Sequence, residues 1–196
     1  MELTMNDCEN CEICPDCLKE FAPDLWLVYY EQYYSAVKKL LKARNRKQLL
    51  IPFTFLLAQY LEIWIKVIGS NFSQGNGIDI RAKEIRGHNL LDIYDKVFDV
   101  IDLEERHVLQ EYLDDVRDLI EYFCGITIDD GVSLSEATRF PTTSKGNSSL
   151  NSCIFRVLSD ECNKMDYTTY FRNAEDLLYL TYDVYDGIYA LRREID

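Results

Sequence analysis

The chain has 196 residues, 47% of them hydrophobic and 13% aromatic, a composition that favours one packed globular domain over a disordered chain. Its net charge of −13 repels a phosphate backbone over most of the surface, which disfavours RNA as a partner. The richest apolar run ends at Gly69 and contains Glu62 and Lys66, so we expect neither a membrane span nor a membrane partner. Because no basic and apolar leader opens the sequence, we predict a cytoplasmic location.

The first 21 residues are predicted to be a cysteine-rich extension to a helical domain at residues 22–196. Within the extension, CENCEICPDC spaces four cysteines three residues apart: Cys8, Cys11, Cys14 and Cys17. Since cytosolic thiols stay reduced, we do not expect a disulfide. Four thiolates suit a closed tetrahedral Zn²⁺ site, and free thiols on a tail are the alternative. A [4Fe–4S] cluster has less support, because neither Cys153 nor Cys162 has the pattern of a remote fourth ligand.

Two long helices are predicted next, each beginning at a proline. From Pro23, apolar residues recur at steps of three and four as far as Leu41, which is typical of an amphipathic helix. The second helix is predicted from Pro52 to Gly69, with the glycine as its C-cap. Since this helix is apolar nearly all round, we expect it at the centre of the fold.

A basic segment connects these two helices. KKLLKARNRK, at residues 38–47, holds six cations and no acid, so it is the only candidate phosphate patch in the sequence. The simpler interpretation is a solvated helix end whose cations lie favourably near the negative C-terminal dipole.

Three further long helices complete the predicted fold. The third begins at Asn89, and the fourth has Asp102 as its candidate N-cap and ends at Gly125. A short helix at residues 153–165 precedes the last one, at residues 166–195, in which Gly187 is a weak point. Residues 126–152 are predicted to form a long irregular loop. The predicted fold is therefore all-α, an antiparallel bundle of four or five helices.

Three short motifs occur in an order that resembles the HEPN family of prokaryotic helical bundles. LEIWIK contains Glu62 and Lys66, GHNLL contains His88, and RFP begins at Arg139, with Phe140 in place of the usual tyrosine. The resemblance implies a helical interaction or effector module in a toxin–antitoxin or anti-phage setting. It also implies a homodimer, with a cognate antitoxin or a nucleotidyltransferase as a further partner.

Glu62, Lys66 and Arg139 are the candidate binding residues. Glu62 and Lys66 have the spacing and the order of a favourable ion pair within one helix. On so apolar a helix this pair is expected to be partly desolvated, so each charge needs the other. One interpretation is a structural pair that fixes the helix register. The other is a polar lining of a groove between two subunits, where a partner protein or a nucleotide binds.

An alternative function is a metal-independent endoribonuclease. RNA-cleaving members of the HEPN family use an Arg followed a few residues later by a His, and Arg81 and His88 have six residues between them. Such a cation and imidazole act on a 2′-hydroxyl and its phosphate. However, the resemblance places His88 in the structural turn before the third helix, which is not where the nuclease motif normally lies.

Fourteen tyrosines are concentrated towards the two ends of the helical region. Tyrosines at helical spacing are usually half-buried, because the ring packs while the hydroxyl reaches water. Their abundance also suits a subunit interface. We therefore predict a homodimer built across the first and last helices.

Overall fold

The described part of the chain forms an all-α bundle, as predicted from the sequence. The computed structural model describes residues 15–75, 89–99, 103–128, 132–133 and 166–193. These ranges contain five helices: α1 (Pro15–Leu41), α2 (Leu50–Gly75), α3 (Leu90–Phe98), α4 (Leu103–Gly125) and α5 (Tyr167–Arg193). The predicted short helix at 153–165 and most of the predicted loop at 126–152 lie outside the described residues.

One element was not predicted, a two-residue antiparallel strand pair that follows α4. Strand β1 (Thr127–Ile128) pairs with β2 (Val132–Ser133), with Ile128 opposite Val132. So short a ladder leaves no alternating pattern long enough to be recognised in the sequence.

Helix α1 begins well before the proline predicted to open it. Its first residue is Pro15, at a position where the missing N–H of proline costs nothing. Pro23 instead falls inside the helix, where it cannot donate a hydrogen bond to the carbonyl of Lys19. The predicted boundary between residues 21 and 22 therefore lies within α1, and Cys17 is a helical residue.

Helix α2 runs past the glycine predicted to end it. Pro52 lies in its first turn, as expected, but Gly69 is buried inside the helix, which continues to Gly75. Glycine inside a helix costs about 1 kcal/mol relative to alanine. Because Val67 and Ile68 are almost fully buried at this point, packing outweighs that local preference.

Side chains cap two of the other helices at their N-termini. Asn89 precedes α3, and its Oδ1 accepts a hydrogen bond from the backbone N–H of Asp92 at 3.3 Å. Asp166 precedes α5 and accepts the backbone N–H groups of Thr168 at 2.9 Å and Thr169 at 3.2 Å. These bonds satisfy N–H groups that have no partner within the first helical turn.

Helices α4 and α5 pack closely and run in opposite directions. Gly125 ends α4, as predicted, whereas Gly187 lies inside α5. A Cβ atom at Gly187 would lie 3.0 Å from Leu109 Cδ2, so the glycine permits close approach of the two helices. At the other end of the pair, Phe123 packs edge-on against Tyr170.

Helix α2 is the central helix, with contacts to α1, α3 and α5. It packs antiparallel to α1, to which the short connection at residues 42–49 joins it. It runs parallel to α5, since Thr54 contacts Tyr170 and, further along both helices, Tyr60 contacts Thr181. Helix α3 has the same direction, because Leu90 at its start lies near Leu61 and Phe98 at its end packs on Trp64. The N-termini of α2, α3 and α5 therefore lie at one end of the bundle.

Over Leu50–Gly69, α2 is long and apolar enough, by length and composition alone, to cross a membrane. However, 67% of this stretch is buried inside the bundle, and central helices of packed domains have the same composition. This helix is therefore weak support for a span, and the cytoplasmic location stays a prediction.

Candidate functional site

Of the residues predicted to bind or catalyse, the structure describes the side chains of Glu62 and Lys66. The others lie outside the described residues: Arg81, His88, Arg139, Cys8, Cys11 and Cys14. Cys17 lies on α1, but its side chain is also outside the description. Where side chains are described, no group of three or more His, Cys, Asp and Glu residues is arranged to hold a metal ion. The zinc site and the Arg81–His88 pair stay predictions.

Glu62 and Lys66 form the predicted ion pair. Lys66 Nζ donates a hydrogen bond to Glu62 Oε1 at 2.7 Å, one helical turn away. The Glu62 side chain is 9% exposed and the Lys66 side chain 19% exposed, which confirms the predicted partial desolvation. Because an isolated charge is costly at such low exposure, each side chain stabilises the other in place.

The ion pair lies at the least buried side of α2. Pro52 is exposed on this side, and Phe55 and Gln59 are half-buried, whereas most of the other side chains at residues 50–69 are buried. Glu62 and Lys66 therefore mark an edge of the bundle where apolar and polar side chains adjoin. Such an edge is compatible with both predicted roles, fixing the helix register and lining a binding groove.

A cluster of tyrosine rings joins α1, α2 and α5 within one chain. The Tyr30 ring stacks on Tyr185 with 4.8 Å between centroids, and on Tyr60 with 5.7 Å. Tyr34 packs against Tyr182 with 5.5 Å between centroids. Tyr34 and Tyr185 are half-buried, as predicted for tyrosines at helical spacing. Much of the tyrosine surface of α1 and α5 is thus used inside the chain.

The hydroxyl groups of this cluster are held in protonated form. Thr181 Oγ1 donates to the carbonyl oxygen of Leu177 at 2.8 Å, so we assign Tyr60 as the donor in its 2.8 Å hydrogen bond with Thr181 Oγ1. Tyr30 Oη is buried and forms no hydrogen bond of normal geometry with the described residues. Desolvation by burial raises the pKa of both Tyr30 and Tyr60 well above the usual tyrosine value. These hydroxyls therefore cannot act as bases near neutral pH.

A small cavity lies between α2, α3, α4 and α5, and its size excludes it as a substrate site. It encloses about 10 Å³, room for about one water molecule, and its walls are mainly apolar. Its lining residues are Thr54, Leu57, Ala58, Leu61, Leu90, Phe123, Cys124 and Tyr170.

The outer surface of the described bundle carries five exposed large apolar side chains. Four of them lie on α1 and α5, and the fifth lies on α4: Val28, Tyr29, Tyr179, Tyr182 and Tyr112. Sequence spacing alone could not distinguish these exposed side chains from the stacked tyrosines, because Tyr29 is exposed whereas its neighbour Tyr30 is buried. His107 is exposed on α4.

No family model, curated protein or solved structure matches this chain. The resemblance to the HEPN family therefore rests on the order of its sequence motifs.

Proposed function

We propose that the chain is a HEPN-like helical interaction or effector module that forms a homodimer through α1 and α5. One observation carries the proposal: four of the five exposed large apolar side chains in the described residues lie on these two helices. A contiguous patch of exposed apolar side chains marks an interaction surface, and tyrosine is enriched in protein interfaces, so these four side chains support a shared interface on α1 and α5.

The polar groups beside these aromatic side chains also suit the rim of an interface. Tyr182 is 40% exposed, and the negative charge of Asp186 raises its pKa. On α1, Lys38 Nζ donates to Tyr34 Oη at 3.4 Å and lies 5.1 Å from the centre of the Tyr34 ring. An apolar centre with a polar, charged rim is the usual composition of a protein interface.

Binding of a partner protein or a nucleotide near Glu62, Lys66 and Arg139 belongs to the same proposal. Lys66 is the more accessible of the two charges, because its side chain is 19% exposed and that of Glu62 is 9% exposed. The toxin–antitoxin or anti-phage setting, with an antitoxin or nucleotidyltransferase as partner, is proposed from the motif order alone.

Light scattering coupled to size exclusion tests the dimer. We expect wild-type protein to have about twice the chain mass of 23.0 kDa at micromolar concentration. The double substitution Tyr29→Ser/Tyr179→Ser should shift the protein towards monomer, since both side chains are exposed and interface aromatics carry much of the binding energy.

Tyr112→Ser is the matched control, because Tyr112 is 44% exposed, like Tyr29, but lies on α4. We expect this variant to remain dimeric. A monomeric wild type, or a dimer that the double substitution leaves intact, would contradict dimerisation through α1 and α5.

The alternative function is a metal-independent RNase that uses Arg81 and His88. It differs from the interaction module in one measurable respect, because it requires RNA cleavage that depends on His88. The zinc site proposed for the N-terminal cysteines has no part in either function, since a closed four-thiolate site leaves no open position for catalysis.

A further inference from the structure

The turn between α1 and α2 concentrates positive charge on a strongly acidic molecule. Residues 38–47, which comprise the last turn of α1 and most of the connection to α2 and are here called the basic turn, contain six cations and no acid, whereas the whole chain has a net charge of −13. Five of the six cations are exposed: Lys39, Lys42, Arg44, Arg46 and Lys47. Among the described residues, none of these five forms an ion pair. Their charge is therefore directed to solvent and not to neighbouring carboxylates.

Backbone hydrogen bonds hold the basic turn in a defined shape. The N–H groups of Gln48, Leu49 and Leu50 donate to the carbonyls of Asn45, Arg46 and Lys47, each three residues earlier. Three successive bonds of this kind form a tight helical turn that leads directly into α2. The cations are thus presented on an ordered backbone, which lowers the entropy lost when they bind a ligand.

Two cations of the basic turn are also anchored on the aromatic rings of α5. Arg46 Cζ lies 5.0 Å from the centre of the Phe171 ring, and Lys47 Nζ lies 5.0 Å from the centre of the Tyr167 ring. Cation–π contacts fix the side chains without neutralising their charge. Arg46 and Lys47 therefore also have a structural role, whereas outer cations such as Arg44 are exposed to solvent.

The basic turn lies at the end of the bundle where α2, α3 and α5 begin. Each helix N-terminus carries a partial positive charge, and the first turn of α2 contains no acidic residue. The carboxylate at the start of α5, Asp166, is engaged by Thr168 and Thr169. Helices α1 and α4 end at the same place with partial negative charges, and Asp92 and Asp166 stand at the starts of α3 and α5, so the positive potential comes from the cations themselves.

The composition of the basic turn distinguishes between possible anionic partners. None of the exposed large apolar side chains of the described residues lies within residues 38–47. A protein partner usually requires apolar or aromatic anchors and single-stranded nucleic acid requires aromatic stacking, whereas a polybasic surface can also bind anionic lipid headgroups by charge alone, so vesicles belong in the test. Contacts to the phosphates of a duplex require only cations and backbone N–H groups.

We infer that the basic turn is a docking surface for the phosphate backbone of duplex nucleic acid, recognised without regard to sequence. The remaining acidic surface limits the affinity and confines contact to this end of the molecule. The inference does not depend on the dimer proposed above, because the five exposed cations lie outside the exposed tyrosines of α1 and α5, and only the half-buried Lys38 borders that surface.

Fluorescence anisotropy of a labelled DNA duplex of about 20 base pairs, two helical turns, tests this inference on the full chain. We expect saturable binding at about 50 mM salt that weakens steeply by about 200 mM, as counterion release requires. Arg44→Glu should weaken binding at least about fivefold and make the salt dependence shallower by about one unit on a log–log plot.

Lys96→Glu is the control for net charge, since it changes that charge equally; Lys96 is exposed near the far end of α3, where it pairs with Asp92 at 2.7 Å. It should alter duplex binding less than about twofold, because long-range charge effects are screened. Equal losses from both variants, or no binding by wild type at low salt, would overturn the inference. Tighter binding to a single strand of equal length, or to anionic lipid vesicles, would also overturn it.

Discussion

Removing the Thr181 hydroxyl tests how the buried polar groups connect α2 to α5. Thr181 is fully buried, and its Oγ1 accepts a hydrogen bond from Tyr60 at 2.8 Å while donating to the carbonyl of Leu177. Thr181→Val keeps the shape of the side chain but leaves the Tyr60 hydroxyl without its acceptor. The bond from Trp64 Nε1 to the Thr181 main-chain carbonyl, 2.9 Å long, is unaffected.

The two partners are expected to differ in what their removal costs. A buried donor left unsatisfied costs about 1–3 kcal/mol, so Thr181→Val should lower the free energy of unfolding by that amount. Tyr60→Phe should cost less, about 0.5–1.5 kcal/mol, because Thr181 keeps its bond to Leu177. The double variant should be less destabilised than the sum of the singles, since removing both partners leaves no orphaned group.

Urea unfolding followed by far-UV circular dichroism measures these three differences. A loss of 1 kcal/mol corresponds to a fall of about 2–4 °C in the thermal midpoint for a chain of this length. Strict additivity, or a larger effect from Tyr60→Phe than from Thr181→Val, would refute the assigned direction of the hydrogen bond.

Four further predictions concern charges, titration and metal. Hydrogen bonds from Thr169 lower the pKa of Asp166, so Asp166→Ala should reduce the thermal midpoint at neutral pH. This difference from wild type should disappear as the pH falls through the lowered pKa, where the wild-type carboxyl is protonated; a constant difference would contradict it. Burial raises the pKa of Tyr30, Tyr60 and Tyr170, so stability should fall above a pH of about 10, where only the unfolded chain ionises them. A spectrophotometric titration should show these tyrosines ionising together with unfolding, and complete ionisation of folded protein would count against it. Glu62→Ala removes the carboxylate that accepts the 2.7 Å hydrogen bond of Lys66 and should destabilise the chain by about 1–3 kcal/mol in urea. The double variant Glu62→Ala/Lys66→Ala should be less destabilised than the sum of the two single variants, and an unchanged unfolding midpoint would argue against a structural pair. Elemental analysis of protein purified without chelator should find about one zinc per chain if Cys8, Cys11, Cys14 and Cys17 bind metal, and a content near zero would end that prediction.

Features that depend on neighbouring residues could be predicted well from the sequence. Helical periodicity and Gly125 predicted α4 and its end, and the spacing of Glu62 and Lys66 predicted their ion pair. In each case the partners lie within one or two helical turns, so local rules decide the outcome.

Features that depend on tertiary packing could not be read in the same way. The sequence predicted Gly69 as the C-cap of α2. The helix continues to Gly75 instead, because the burial of Val67 and Ile68 stabilises the helical conformation at this point. The hydroxyl pairs between α2 and α5 join residues more than a hundred positions apart, which no local pattern records.

The candidate site was only partly accessible to sequence reasoning for the same reason. Spacing predicted that tyrosines would pack, but the choice between the stacked Tyr30 and the exposed Tyr29 depends on where α5 lies. The basic segment was visible in the sequence. Its ordered turn and its contacts with Tyr167 and Phe171 emerged only from the fold.

Incubation of the purified full chain with total RNA tests most directly whether it acts as an interaction module and not as an enzyme. Wild-type protein and His88→Ala should give the same RNA pattern at every salt concentration, without cleavage products. Cleavage by wild-type protein that the His88→Ala substitution abolishes would contradict the interaction module and establish the ribonuclease in its place.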